Sequence, residues 1–314
     1  MIDMPKVVLA GLAFVFGACV GSFVGVVSFR LPRGLSIIKP RSFCPLCAHA
    51  LAAWVNVPLL AYVFLRGRCA MCRGAIALRY PLSELALGAA ALSLSLRFEL
   101  GDALARFSLC AALLAVSLID LEWRIIPDAI SLPGIGAGIL CATFFMSGVG
   151  LTSSLLGIFA GAGLLWILGE TYRWTRGREG LGLGDVKLLG MVGAYLGWPG
   201  ALFTIFFGAL FGSLSGLIVA IAAPRWLDGS QLDACPLAGG GDAAEQARYS
   251  SATVCGSRFE AGEEESPAAV HQDAGRSFAA LMHTQIPFAP FLSLAAAAYA
   301  VFQPELVGWY LGGG

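Results

Sequence analysis

Read from one charge cluster to the next, the chain breaks into long apolar stretches at residues 7–29, 82–98, 104–120, 129–147, 151–169, 184–198, 201–223 and 286–303. Crossing a bilayer takes about 20 largely apolar residues of helix. A water-soluble core of 314 residues has no use for so many runs of this kind. In lipid each backbone amide must find its partner inside its own segment, so the stretches are expected as helices. The fold class expected is an all-α polytopic membrane protein with about eight transmembrane helices. Composition agrees, with 58% hydrophobic and 13% charged residues. The 40 glycines would weaken soluble helices, but in lipid small residues let helices approach closely.

The few charges are segregated. Arg30, Arg33, Lys39, Arg41, Arg66, Arg68, Arg73 and Arg79 fall in a stretch with no Asp or Glu, which marks it as cytoplasmic. Alternation from there also puts Arg124, the Arg173/Arg176/Arg178 cluster and Arg225 inside, with Lys6, Arg97 and Arg106 on the far side and both termini outside. A cleaved signal sequence is the competing reading of the first stretch. The apolar run is long for one and continues well past Cys19. The expected setting is a bacterial inner membrane, with the lipid bilayer as partner and no nucleic acid; oligomeric state is not legible.

Five segments follow: a first transmembrane helix over 1–29, a cytoplasmic loop domain over 30–81, a membrane core over 82–225, an acidic low-complexity insert over 226–284, and a last helix with the C-terminus over 285–314. The insert, with "AGGGDAAEQ" and "AGEEESPAA", has too little apolar surface to fold alone and is expected to be disordered. No internal repeat is visible.

Within the loop, Cys44, Cys47, Cys69 and Cys72 form CxxC and CxxC with 21 residues between them, the spacing of paired knuckles on one tetrahedral ion. Four soft thiolates suit structural zinc best, with iron as the alternative. Disulfides or a redox dithiol are the other uses, and a cytoplasmic location argues against disulfides. In a loop with little core of its own, the metal would act as the folding staple. Cys19, Cys110 and Cys141 lie in apolar stretches and read as small hydrophobes. Cys235 and Cys255, like His49, His271 and His283, show no ligand spacing.

Ionisable groups at membrane depth are costly and so are functional candidates. Asp120 ends the third stretch, in "AVSLIDLEWRIIPD", and Asp185 begins the sixth, in "GLGLGDVKLL". Alternation places both at the same cytoplasmic depth. Two facing carboxylates there share one proton, the requirement for hydrolysis in which one Asp takes a proton from water and the other gives one to the scissile carbonyl oxygen. Gly182 and Gly184 are expected to admit a substrate backbone, and Lys187 to offset nearby charge or to reach the headgroups. The plainer readings are that Asp185 caps a helix and that Asp120 frays into the interface. Asp128 after Pro127 reads as a helix cap, and Glu122 and Glu170 as interfacial.

The segments "GSFVGVVSFRLPRG", "RSFCPLC", "NVPLLAYVFLRGRCAMCRGAIALRYPLSEL", "LIDLEWRIIPDAISLP", "GLGLGDVKLLGMVGAYLGWPG" and "IPFAPFLSLAA" together resemble the prepilin peptidases, or type IV leader peptidases, in family order. The resemblance implies a GxGD-type membrane aspartic endopeptidase with Asp120 and Asp185 as its catalytic pair. It would remove the leader of prepilins or pseudopilins of a type IV pilus or type II secretion system, after a Gly at the cytoplasmic face. It further implies N-methylation of the new amino terminus with S-adenosylmethionine, a step associated with the cysteine loop, and ties Glu84 to that side. An interfacial carboxylate at a helix start is the plainer reading of Glu84. The insert at 226–284 departs from the short connector of the family. A non-enzymatic transporter or assembly component with a zinc-knuckle loop is the alternative, told apart by ion flux without leader cleavage.

Overall fold

The computed structural model describes residues 4–39, 42–44, 47, 49–51, 55, 57–177, 182–222 and 287–310. Among these residues the regular structure is helical, and the only β pairing consists of two isolated bridges. Helix α1 is Met4–Arg30, α2 Leu60–Phe64, α3 Arg79–Arg97, α4 Leu100–Trp123 and α5 Asp128–Phe144. Helix α6 is Gly150–Ile158, and it passes through a π turn at Phe159–Gly163 into α7, Leu164–Arg176. Helix α8 is Leu183–Ala222 and α9 is Ala289–Tyr310. The acidic insert expected at 226–284 lies outside the described residues.

Among the described residues, four segments are long and apolar enough to cross a membrane: Lys6–Arg33, Leu100–Trp123, Gly150–Arg176 and Leu183–Val219. Shorter apolar helices cover Asp128–Phe144 and Ala289–Gln303. Helix α8 is interrupted at Gly197, where φ of 70° and ψ of −175° leave the helical region and Pro199 follows. Only glycine adopts that backbone without strain, so the interruption is written into the sequence.

By its internal contacts the chain divides into two units, residues 1–214 with 287–314, and residues 215–286. In the first, the opening half of α8 is the buried hub: Leu188, Leu189, Met191, Val192 and Ala194 are fully enclosed. Its neighbours reach it through small residues. A methyl group added at Gly138 of α5 would come within 2.7 Å of Ala194, and Gly157 of α6 lies backbone to backbone against Gly193. The glycines thus act as contact faces between helices. The same device brings α1 onto α3, since a Cβ at Gly21 would sit 2.6 Å from Glu84 Cα.

Helices α4 and α9 are joined at two levels. Arg106, buried at 2% exposure, donates to Asp102 Oδ1 at 2.6 Å and to the Ala300 carbonyl at 3.1 Å, and lies over the Phe98 ring. The start of α9 meets the other end of α4, at Asp120. The two helices therefore run antiparallel, and a satisfied buried charge fixes one against the other.

Candidate functional site

Asp120 sits in the last turn of α4, at 6% exposure. That helix stops at Arg124, which takes the left-handed conformation (φ 54°) and donates its N–H to the Asp120 carbonyl at 2.9 Å. The backbone N–H of Ala289, at the first position of α9, bonds the Asp120 carboxylate, and the Arg124 charge acts on it. The other carboxylate oxygen, Oδ2, is buried and has no hydrogen-bond partner among the described residues.

Asp185, half-buried in the first turn of α8, lies close enough to Asp120 for the two charges to interact. The fold thus brings these two carboxylates, 65 positions apart in sequence, within electrostatic reach of each other. Asp185 is not the cap of its helix: the chain turns at Gly182, whose carbonyl accepts the Asp185 N–H at 3.1 Å. Asp128 is no cap either. Pro127 holds that position without a side-chain bond, and Asp128 instead receives Lys187 Nζ at 2.7 Å, fastening α8 to the start of α5.

The glycines before Asp185 have two different reasons. A Cβ at Gly184 would lie 2.9 Å from Ile126 Cβ, so the α4–α5 turn demands the glycine there and not an arriving substrate. At Gly182 an added Cβ would meet, among the described residues, only Asp185 Oδ2, at an ordinary 3.6 Å.

The sulfur atoms of Cys44, Cys47, Cys69 and Cys72 all lie within 4.8 Å of one another, with Cys44 and Cys72 at 3.9 Å. Tetrahedral zinc with bonds of about 2.3 Å sets its sulfurs about 3.8 Å apart, so the tetrad fits such an ion. The described residues of each half make the same backbone bonds. Cys44 N–H donates to His49 O and Leu51 N–H to Ser42 O; 25 positions on, Cys69 N–H donates to Gly74 O and Ile76 N–H to Gly67 O. The bridges Phe43–Ala50 and Arg68–Ala75 repeat with the same shift. An internal repeat therefore exists where the residues alone, sharing little beyond cysteines, showed none. The backbone N–H groups of Cys72 and Met71 draw the Cys69 thiol down to about 7. Cys72, although the Gly74 N–H lowers it, is pushed up to about 11 by desolvation and by the neighbouring sulfurs.

Glu84, in the second turn of α3 and buried, accepts the Leu59 N–H at 2.7 Å on Oε2. Leu59 takes φ of 61° and ψ of −48°, a strained conformation for a residue with a Cβ. Glu84, Arg30, Cys44 and Cys69 all line one cavity of about 190 Å3 between α1, α3 and the cysteine lobe. Arg30 is a residue that sequence reasoning counted only as one basic charge among many. At 4% exposure it donates to the Ser36 carbonyl at 3.0 Å. Its position in the last turn of an apolar helix was the available signal.

The two regions meet at the end of α4. Glu122 is ion-paired with Arg79 of α3, and the Arg33 guanidinium lies over the Trp123 ring at 4.9 Å. Of the other acidic residues considered, Glu170 pairs with Arg173. Cys235, Cys255, His271 and His283 lie outside the described residues.

Residues 15–98 match the Bacterial Peptidase A24 N-terminal domain, and residues 107–217 match the Type IV leader peptidase family. The chain is 42% identical over 241 residues to a prepilin leader peptidase/N-methyltransferase of Burkholderia pseudomallei (strain K96243), covering 68% of this chain and 78% of that protein. It is 37% identical over 231 residues to the protein of the same name from Pseudomonas putida, covering 66% and 79%. With that of Neisseria gonorrhoeae the identity is 34% over 243 residues, covering 68% and 83%. No solved structure matches.

Proposed function

The chain belongs to the type IV leader peptidase family, and on that premise we propose that Asp120 and Asp185 are the catalytic pair of a prepilin leader peptidase that also N-methylates its product. The observation that carries the assignment is that these carboxylates, one on α4 and one on α8, lie within electrostatic reach of each other. One carboxylate takes a proton from water as the oxygen attacks the scissile carbonyl carbon, and the other gives its proton to the carbonyl oxygen. Collapse of the tetrahedral adduct breaks the C–N bond, and the nitrogen leaves with a proton. The Ala289 N–H and the Arg124 charge hold Asp120 in place for this. The space beside Gly182 is where a substrate backbone reaches the pair.

Helix α8, with 40 residues at about 1.5 Å each, is about twice the length that a bilayer core needs. We read its break at Gly197 as the junction of two crossings. With α1, α3, α4, α5, α6–α7 and α9 this makes eight, the GxGD arrangement expected. Alternating crossings put the ends bearing Asp120 and Asp185 on the side of the cysteine lobe, read as the cytoplasmic face of the inner membrane. The Cys tetrad is assigned to structural zinc, which would hold the lobe folded and take no part in cleavage. Glu84 is assigned to the methyl-transfer side. Prepilins or pseudopilins are the substrates, and S-adenosylmethionine the methyl donor. The transporter reading is set aside, since the relatives carry the names of enzymes.

The test incubates the purified full-length protein with a synthetic prepilin segment and labelled S-adenosylmethionine, with mass analysis of both product ends. A cut that frees the leader and adds one methyl group to the new amino terminus is expected. An uncut segment would refute the reading.

A further inference from the structure

The cavity between α1, α3 and the cysteine lobe contains two opposite charges that the peptidase chemistry does not use. Its volume of about 190 Å3 would hold on the order of a dozen waters, so it is sized for an organic molecule. Each charge is held by the backbone, Glu84 by the Leu59 N–H and Arg30 by the Ser36 carbonyl, and both still form part of the cavity's lining. Both belong to helices pressed together through Gly21, a contact that leaves no room for even a methyl group at Glu84. The lining also carries the strained Leu59, whose N–H is tied to Glu84 Oε2.

We infer that this cavity seats the methyl donor, with Glu84 taking the α-ammonium of its amino-acid end and Arg30 the α-carboxylate. The inference deepens the proposed function and rests on its methyl-transfer half. A zwitterionic amino-acid end is a close pair of opposite charges, and a carboxylate and a guanidinium lining one cavity complement it. Charge-assisted bonds of this kind are about twice as strong as neutral ones. Arg30 suits the role because its guanidinium is planar and always charged, and can grip a carboxylate with two parallel bonds. The lining also includes Phe29, Phe43, Tyr62 and Tyr80. Their rings suit both an adenine face and a sulfonium cation, which aromatic faces attract. Bound there, the donor supplies a sulfonium methyl, which passes to the substrate's amine nitrogen as the S–C bond breaks with its electron pair left on sulfur and one amine proton goes to water.

Arg79, five residues before Glu84, is paired with Glu122, two residues after Asp120. That pair ties the end of α3 that lines the cavity to the end of α4 that carries Asp120.

The test measures binding of S-adenosylhomocysteine and of adenosine to the full-length protein in detergent, wild type against Glu84→Gln. Glutamine keeps an oxygen for the Leu59 N–H and loses only the charge. Binding of S-adenosylhomocysteine is expected to weaken about tenfold or more, while adenosine, which lacks the amino-acid end, binds within twofold of wild type. Arg30→Lys is expected to show the same selectivity with a smaller loss. Leader cleavage, performed at the aspartate pair, reports that each variant is folded. If a folded Glu84→Gln protein binds S-adenosylhomocysteine as tightly as wild type, or loses adenosine equally, the inference is overturned. If the wild type forms no methylated product and binds neither compound, the methyl-transfer reading itself fails, and the inference with it.

Discussion

The aspartate pair and the cysteine tetrad are both four-or-fewer-residue sites, yet they are built in opposite ways. The tetrad is local: two copies of one hairpin, 25 residues apart, each closed by its own backbone bonds, brought together by sulfur atoms that fit one ion. The aspartate pair is remote: α4, α8 and α9 each supply one part, and none closes the site alone. A local site draws its order from a metal, worth about 10–16 kcal/mol to small zinc-bound folds. A remote site draws its order from helix packing, here through the glycine contacts on α8 and the antiparallel clamp of α4 with α9. It follows that the two should fail separately.

The largest effect expected is that of Asp185→Ala, which should reduce leader cleavage by at least about a thousandfold, as for residues acting as a unit. Methyl transfer to a pre-cleaved peptide should change less than threefold, read by mass spectrometry. Joint loss of both activities in a folded protein would break the comparison. Next, removing the metal with a chelator, or Cys69→Ser, should lower methyl transfer at least about tenfold, because losing a ligand unfolds a metal-closed lobe and Cys69 walls the cavity. Cleavage should fall less, provided that the packed helices hold.

A third expectation sharpens the contribution of α9. Ala289→Pro deletes the N–H that bonds Asp120, at a first helical position where proline fits. The turnover number for cleavage should fall on the order of tenfold with KM little changed, whereas Ala289→Gly, which keeps the N–H, should stay near wild type. Smaller still is the contrast between the two glycines of the motif. Gly184→Ala pushes on Ile126 and should slow cleavage several-fold, as overpacking costs about 1–3 kcal/mol; Gly182→Ala, which narrows the space assigned to the substrate backbone, should raise KM with stability unchanged.

The tetrad has a pH signature as well. Metal-free Cys72, pushed up to about 11, holds its proton at pH 8, while Cys69, drawn down to about 7, has mostly lost its own. Zinc uptake at pH 8 should release at least one proton, measurable as a buffer-dependent heat. Affinity should fall as pH drops, since protons compete for the same sulfurs. Uptake with no proton released would contradict the assignment.

What the sequence made legible follows the same division. Cys44, Cys47, Cys69 and Cys72 could be grouped from spacing, because a local hairpin writes its geometry into residue intervals. The repeat behind them could not, since it lives in backbone bonds that little-related side chains share. The helices were legible from their apolar runs, even the interruption near Gly197, because lipid permits few alternatives. Asp120 and Asp185 were legible as candidates from cost alone, and the resemblance named them as a pair. The Ala289 N–H, the Lys187–Asp128 pair and the reason for Gly184 were not legible. Each depends on which helices are neighbours, and sequence periodicity carries no such information. Arg30 was hidden in part for the same reason: its place at the end of an apolar helix set it apart from the other basic residues, but its enclosure depends on packing.

The central claim is that Asp120 and Asp185 act as one hydrolytic unit. Its most direct measurement is the single-turnover cleavage rate of a prepilin segment by Asp120→Asn, Asp185→Asn and the double variant. The account predicts that either single change costs nearly as much as both together. Cleavage near the wild-type rate by either single variant, or losses that simply multiply in the double, would contradict it.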